Sequence, residues 1–181
     1  MNGEPHLALR FAHNFDPDRA GFRDARPLVA AVGEGELHER PTGARGAQEW
    51  PGAIAILRWL REQKVPHGIA TSGRHPEIDS SLAALGVPAD MVVVDRGDVL
   101  RAKPEPDLFL KCQEEIGVEI RDCYVVGDAV WDLLAARRAG MLSVGMLAGG
   151  YGWDELIAAG AFRVYRDTAD LHRSLDELGI I

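Results

Sequence analysis

Two acidic residues lie one helical turn apart, directly after an apolar run in the second half of the chain. Asp128 follows "CYVVG", and Asp132 comes four positions later, at the start of the helical stretch "AVWDLLAARRAG". Carboxylates this close repel each other unless a cation or hydrogen-bond donors lie between them. Mg²⁺ prefers oxygen ligands, usually one or two carboxylates together with phosphate oxygens and water. The pair Asp128 and Asp132 therefore predicts a magnesium site.

A hydroxyl group and a lysine elsewhere in the chain could hold a phosphate beside that metal. Thr71 follows the apolar run "HGIA", and the backbone N–H groups of Ser72 and Gly73 come next, in a turn that leads towards a helix. Lys103, in "RAKPEPDLF", can neutralise an anion as a point charge, and the prolines on both sides of Glu105 stiffen the chain there. A hydroxyl, a lysine and metal-binding carboxylates together predict a phosphoryl-transfer site.

Alternating strands and helices must position these side chains. From Pro51 onward, short apolar segments alternate with segments that carry apolar residues at helical spacing. The predicted strands are "HGIA", "MVVVD", "CYVVGD", "LSVGML" and "FRVYRD". This alternation predicts an α/β protein with a Rossmann-like, three-layer fold around a mostly parallel central sheet. Ligands bind such sheets outside the carboxyl ends of the strands, which is where Thr71 and Asp128 fall.

The composition limits the classes of partner. The net charge of −8 argues against a nucleic-acid-binding surface, and no apolar run is long enough to span a membrane. The two cysteines, Cys112 and Cys123, fit no disulfide or metal spacing and are expected to be reduced thiols. No signal peptide is recognisable, so we expect a cytoplasmic protein. The sequence leaves the oligomeric state open.

The first 50 residues differ from the rest. Residues 1–50 are rich in Gly, Ala, Arg and Pro and lack sustained periodicity, whereas residues 51–181 form the predicted α/β core. The best strand candidates in the first segment are "LALRF" and "PLVAAV". We therefore divide the chain at residue 50 into an atypical N-terminal segment and a core.

Three motifs, in this order, resemble the haloacid dehalogenase (HAD) superfamily. They are "ATSG", "KPEPDLF" and "VVGDAVWD", in which Thr71 matches the second motif, Lys103 the third, and Asp128 with Asp132 the fourth. Further on, "LAGGYGWDELIAAGAFRVYRD" and "LDELG" are similar to the phosphoglycolate phosphatase and β-phosphoglucomutase branch. The resemblance covers roughly residues 50–178. Any one of these motifs is weak alone, but their combination and order are specific.

The resemblance implies a Mg²⁺-dependent phosphatase that acts on a small phosphorylated metabolite. In the superfamily an aspartate of a first motif, Asp-x-Asp, attacks phosphorus and becomes an aspartyl-phosphate, and the second aspartate acts as general acid and base. The matching Thr71 and Lys103 are then expected to bind the transferred phosphoryl group, and Asp128 is expected to hold Mg²⁺.

The first motif is where this sequence departs from the superfamily. The pair with the right spacing, Asp16 and Asp18 in "NFDPDRAG", follows a polar stretch, and Asp16 would then also bind the metal. A second pair, Glu34 and Glu36 in "PLVAAVGEGE", follows a better strand, but its longer side chains would displace the nucleophile by about 1 Å. The third alternative is a catalytically inactive HAD-like scaffold or binding protein, or a truncated product, without a nucleophile.

The family's strand order also constrains the N-terminal segment. The first strand lies between the strand that ends at Thr71 and the one that ends at Asp128, and an empty position there would expose unpaired backbone inside the sheet. Either "LALRF" or "PLVAAV" is therefore expected to fill it. The chain between Asp18 and Pro51 is too short for the family's helical cap, so we predict a cap that is reduced to a remnant or absent.

Overall fold

The described residues form one parallel sheet covered by helices. The computed structural model describes residues 28–30 and 51–180. Six strands lie in the order β3-β2-β1-β4-β5-β6, and every neighbouring pair is parallel. The strands are β1 Leu28–Ala30, β2 His67–Ala70, β3 Val92–Val94, β4 Tyr124–Gly127, β5 Leu142–Met146 and β6 Arg163–Tyr165. The predicted α/β fold with a parallel sheet is confirmed.

Helices connect the strands in the expected alternation. Their bounds are α1 Pro51–Glu62, α2 Asp79–Ala84, α3 Asp107–Ile116, α4 Val130–Ala139, α5 Trp153–Ala159 and α6 Thr168–Arg173. Short 3₁₀ turns cover Ile120–Asp122, Leu147–Gly149 and Leu175–Leu178. None of the helices in the described part of the chain is long and apolar enough to cross a membrane.

The core has two main layers, one on each face of the sheet. Along β4, Tyr124 and Val126 join a cluster with residues of α1 and α6, whereas Val125 joins a cluster with residues of α3 and α4. Successive strand side chains point to opposite faces, so an apolar run such as "YVVG" can only be buried if both faces are covered. This explains why the central strand β4 carries no charged side chain, and it produces the three-layer arrangement.

The central position of the sheet is filled by β1. Leu28–Ala30 pairs with β2 on one side and with β4 on the other. Of the two strand candidates, it is therefore "PLVAAV" that supplies the strand, while "LALRF" lies outside the described residues. The expected position of the first strand, between the strand before Thr71 and the strand before Asp128, is confirmed.

Two helices differ from their predicted extent. The stretch "PEIDSSLAALGVP" forms a turn first, and α2 begins only at Asp79. The last predicted helix is divided into α6 and the 3₁₀ turn Leu175–Leu178, with Ser174 between them. The tighter 3₁₀ geometry places residues three apart on the same side. It therefore keeps both Leu175 and Leu178 in the core, where each is 1% exposed.

The predicted division at residue 50 stays a prediction, and β1, which precedes residue 50, belongs to the same sheet as the five strands after it. The chain from residue 31 to residue 50 joins β1 to α1 and lies outside the described residues, as does the N-terminal part before β1. The prediction of a reduced or absent cap concerns that stretch.

Candidate active site

The strand register brings Thr71 and Asp128 to the same edge of the sheet. Ala30 of β1 is level with Ile69 of β2 and with Val126 of β4. Thr71 comes two residues after Ile69, and Asp128 comes two residues after Val126. They therefore leave the sheet at the same level, on the two sides of the central strand.

Lys103 reaches this edge from the loop before α3, and its ammonium group is buried. The side chain is 5% exposed, and Nζ lies 2.8 Å from Oδ1 of Asp132, which is 2% exposed. Nζ also donates a hydrogen bond of 3.2 Å to the carbonyl of Ala70, the residue before Thr71. The ring of Phe109, with its centroid 5.3 Å from Nζ, closes another side. The lysine thus connects the end of β2 with the first turn of α4.

Asp132 is held in place by the chain itself. Its Oδ2 accepts a hydrogen bond of 3.3 Å from the backbone N–H of Ala129, while Oδ1 faces Lys103. A Cβ at position 127 would lie 2.5 Å from the Cβ of Asp132, so the glycine at the end of β4 leaves room for this side chain. Both carboxylate oxygens of Asp132 have partners within the protein. Its role as a metal ligand stays a prediction, and the contacts favour a role as the partner of Lys103.

Asp128 differs from Asp132 in the hydrogen bonding of its carboxylate. Its Oδ1 is completely enclosed and has no hydrogen-bond partner among the described residues. Burial raises the pKa of Asp128 to about 6, repulsion by Asp132 adds to the rise, and Lys103 partly opposes it. Gly149 packs against this residue, since a Cβ there would lie 2.2 Å from the carbonyl oxygen of Asp128. An enclosed carboxylate oxygen without a donor costs free energy unless a cation or a donor completes the site.

The residues fit a Mg²⁺ ion. An unpartnered carboxylate oxygen is a hard ligand, and Mg²⁺ accepts one or two protein carboxylates and keeps water or phosphate oxygens in its other positions. Within residues 28–30 and 51–180, no group of three or more His, Cys, Asp or Glu side chains is arranged to hold a metal.

The Thr71 loop is ordered by its own hydrogen bonds. Thr71 is 2% exposed, and its Oγ1 accepts a hydrogen bond of 3.1 Å from the backbone N–H of Gly73. The hydroxyl proton can then be donated to an anion. The turn is followed by α2 only at Asp79, so Ser72 and Gly73 lie outside the first turn of that helix. The N–H of Gly73 is already used by Thr71, and the predicted anion contacts of Ser72 and Gly73 stay predictions.

A contact that the sequence did not indicate supports the Lys103 loop. Arg138, near the end of α4, donates from Nη1 to the carbonyl of Pro104 at 2.9 Å and to Oε1 of Glu105 at 2.8 Å. Position 104 follows Lys103 directly, so this guanidinium fixes the loop from outside. No spacing rule connects residues 34 positions apart, and only the packing of α3 beside α4 brings them together.

The four predicted nucleophile candidates lie outside the described residues. These are Asp16, Asp18, Glu34 and Glu36. In the chain, Asp16 and Asp18 precede β1, whereas Glu34 and Glu36 follow it, and the carboxyl end of β1 lies at the edge where Thr71 and Asp128 meet.

Known proteins share this arrangement of elements. The chain is 37% identical to hexitol phosphatase A of Escherichia coli (strain K12) over 144 residues, which is 75% of this chain and 65% of that protein. It is 30% identical to a phosphoglycolate phosphatase of Rhodospirillum rubrum over 154 residues, which is 84% of this chain and 64% of that protein. The aligned part thus spans slightly less than two thirds of these relatives.

A solved structure agrees with the fold. The crystal structure of a hydrolase from Pseudomonas syringae superposes with a TM-score of 0.69 and 46% identity, and the match covers 71% of this chain and 60% of that one. The family described as haloacid dehalogenase-like hydrolase matches residues 1–140 of the chain. The resemblance noted in the three motifs is thereby confirmed, and this chain belongs to the haloacid dehalogenase-like hydrolase family.

Proposed function

We propose that this protein is a Mg²⁺-dependent phosphatase that hydrolyses a small phosphorylated metabolite. The observation that carries the proposal is the enclosed Oδ1 of Asp128, which has no partner in the described part of the chain and lies next to the buried pair of Lys103 and Asp132. In a site with a purely structural role, each buried carboxylate oxygen would be expected to accept a hydrogen bond. A cation at Asp128 together with a phosphate beside Lys103 would complete the site.

Each described residue has a distinct part in this proposal. Asp128 would hold Mg²⁺, and when bound the ion would neutralise charge on the phosphate oxygens. Lys103, fixed by Asp132 and the carbonyl of Ala70, would bind the transferred phosphoryl group as a point charge. Thr71 would donate its hydroxyl proton to a phosphate oxygen, since its Oγ1 already accepts from Gly73.

The chemical step would use a carboxylate nucleophile. That carboxylate attacks phosphorus, an acyl-phosphate bond forms, and the bond from phosphorus to the leaving alcohol oxygen breaks as the alcohol takes a proton from a neighbouring acid. Water then hydrolyses the acyl-phosphate to inorganic phosphate and restores the carboxylate. Asp16, with Asp18 as acid and base, has the superfamily's residue types, whereas Glu34 and Glu36 come four and six positions after the end of β1 in the sequence.

The test is hydrolysis of p-nitrophenyl phosphate by the folded protein with Mg²⁺ and with EDTA. We expect turnover only with the metal, and loss of turnover in Asp128→Asn. Variants Asp16→Asn and Glu34→Gln, measured side by side, identify the nucleophile, because only one of them should abolish turnover. Full activity of Asp128→Asn would contradict the metal assignment.

A second candidate function is a binding protein that retains the anion site without turnover. The observation that favours it is that the sequence after β1 reads "AVGEGE", so glutamates instead of aspartates come after the strand in the central position of the sheet. Tight binding of inorganic phosphate with no hydrolysis of any aryl or sugar phosphate would support this function over the first.

A further inference from the structure

A buried carboxylate ties the loop that carries Thr71 to the end of the neighbouring strand. Asp95 follows β3 directly and is 7% exposed. Its Oδ2 accepts a hydrogen bond of 3.0 Å from the backbone N–H of His75, and its Oδ1 accepts one from Gly97. The carboxylate thus bridges the loop after β2 and the loop after β3.

Two backbone hydrogen bonds accompany this bridge. Thr71 donates its N–H to the carbonyl of Val94 at 2.9 Å, and Arg96 donates its N–H to the carbonyl of Gly73 at 3.0 Å. The loop from residue 71 to residue 75 is therefore bonded to residues 94–96 at its start, its middle and its end. Asp95 provides the bond at the end, without which the loop would be held only at Thr71 and Gly73.

The carboxylate of Asp95 is itself oriented before any ligand arrives. The backbone N–H of Asp95 donates to Oδ2 of Asp98 at 2.9 Å, which closes the turn that presents Gly97. The hydrogen bond from His75 is the main reason that the pKa of Asp95 is lowered, so the group stays ionised. Charge-assisted hydrogen bonds of this kind are stronger than neutral ones and suit a fixed support.

We propose that Asp95 is a positioning residue that holds the loop 71–75 in the geometry needed to bind phosphate. This inference rests on the proposed function. Asp95 makes no contact with the anion in this account, because its two oxygens face backbone N–H groups of the protein. Its effect reaches the phosphate through Thr71 and Gly73, whose mutual hydrogen bond sets the direction of the Thr71 hydroxyl.

Asp95→Asn tests the proposal with little change in size. An asparagine can accept from one of the two N–H groups, but its NH₂ group must then face the other donor. Asp170→Asn is the matched control, because Asp170 also accepts a backbone hydrogen bond, 3.2 Å from Arg166, in the connection after β6. Both variants lose one carboxylate that supports a loop, but only one of these loops carries Thr71.

The first measurement is amide hydrogen exchange of Gly73 and His75 by NMR. We expect exchange about tenfold faster in Asp95→Asn, the order of effect for losing one charge-assisted hydrogen bond, and wild-type exchange in Asp170→Asn. Unchanged protection of both amides in Asp95→Asn would overturn the proposal. This measurement does not depend on catalytic activity. It therefore tests whether Asp95 holds the loop 71–75 even if the protein proves to have no phosphatase turnover.

The second measurement is the affinity of the folded proteins for inorganic phosphate and for Mg²⁺ by calorimetry. A positioning role predicts about tenfold weaker phosphate binding in Asp95→Asn and unchanged Mg²⁺ binding, since Asp128 lies on the far side of β1. A general structural role would lower stability without changing the phosphate affinity, and that result would overturn the proposal. A wild-type protein that binds no phosphate would instead contradict the proposed function.

Discussion

Replacing Asp128 by asparagine is expected to stabilise the metal-free protein at neutral pH. The enclosed carboxylate has a pKa of about 6, compared with the ordinary value of 3.8. A shift of one unit corresponds to about 1.4 kcal/mol, so ionised Asp128 costs about 3 kcal/mol in the folded protein above pH 6. Asparagine has a similar shape, carries no charge and escapes this cost.

The sign of the pH dependence follows from the raised pKa. Below about pH 3 the carboxyl group is protonated in both the folded and the unfolded protein, so ionisation makes no difference to stability there. Between pH 4 and pH 6 the unfolded chain ionises while the folded protein keeps its proton, so the free energy of unfolding falls as the pH rises. The advantage of Asp128→Asn over wild type should therefore grow by about 2 kcal/mol between pH 4 and pH 7.5.

Urea unfolding followed by tryptophan fluorescence in EDTA measures this difference at both pH values. Addition of Mg²⁺ should reverse the order, because ligand binding to the folded state stabilises wild type and leaves Asp128→Asn nearly unchanged. Asp154→Asn, which removes an exposed carboxylate at the start of α5, controls for the loss of one negative charge. A difference between wild type and Asp128→Asn that is the same at both pH values would refute the reasoning, as would equal stabilisation of both by Mg²⁺.

The remaining predictions concern the groups around Asp128. Lys103→Met should destabilise the protein by about 3–5 kcal/mol in urea unfolding, because it leaves the buried carboxylate of Asp132 without its cation. The double variant Lys103→Met/Asp132→Leu should recover much of that loss, and a double variant as unstable as the single one would argue against the ion pair. Gly149→Ala should weaken Mg²⁺ binding about tenfold in calorimetry, because its Cβ would lie 2.2 Å from the Asp128 carbonyl oxygen. The control Gly152→Ala, whose nearest contact would be 3.4 Å away, should bind Mg²⁺ like wild type; equal affinities for both alanine variants would contradict the packing argument.

The alternation of strands and helices was predictable because a strand that is buried on both faces of a sheet has apolar residues at successive positions. Runs such as "VVV" and "YVVG" are apolar at every position, and each forms a strand of the parallel sheet. Strand ends were also predictable, since polar residues follow these runs directly. For this reason Thr71 and Asp128 could be assigned to one edge before their positions in the structure were known.

The partners of the site residues were not predictable in the same way. Sequence spacing treated Asp128 and Asp132 alike, as two carboxylates one turn apart. In the structure they differ, because Asp132 is paired with Lys103, whereas Oδ1 of Asp128 is enclosed and has no donor among the residues that the structure describes. The sequence indicates Asp95 only as the end of a strand, since its link to His75 spans 20 positions and depends on the packing of two loops.

The central claim, that Asp128 holds a metal beside a phosphate bound by Lys103 and Thr71, is tested most directly with Mn²⁺ in place of Mg²⁺. The measurement is the ³¹P relaxation of inorganic phosphate in the presence of protein and Mn²⁺, which requires no nucleophile and no turnover. We expect strong relaxation enhancement with wild type, because metal and phosphate share one site, and loss of that enhancement in Asp128→Asn. Equal enhancement with Asp128→Asn and wild type would contradict it.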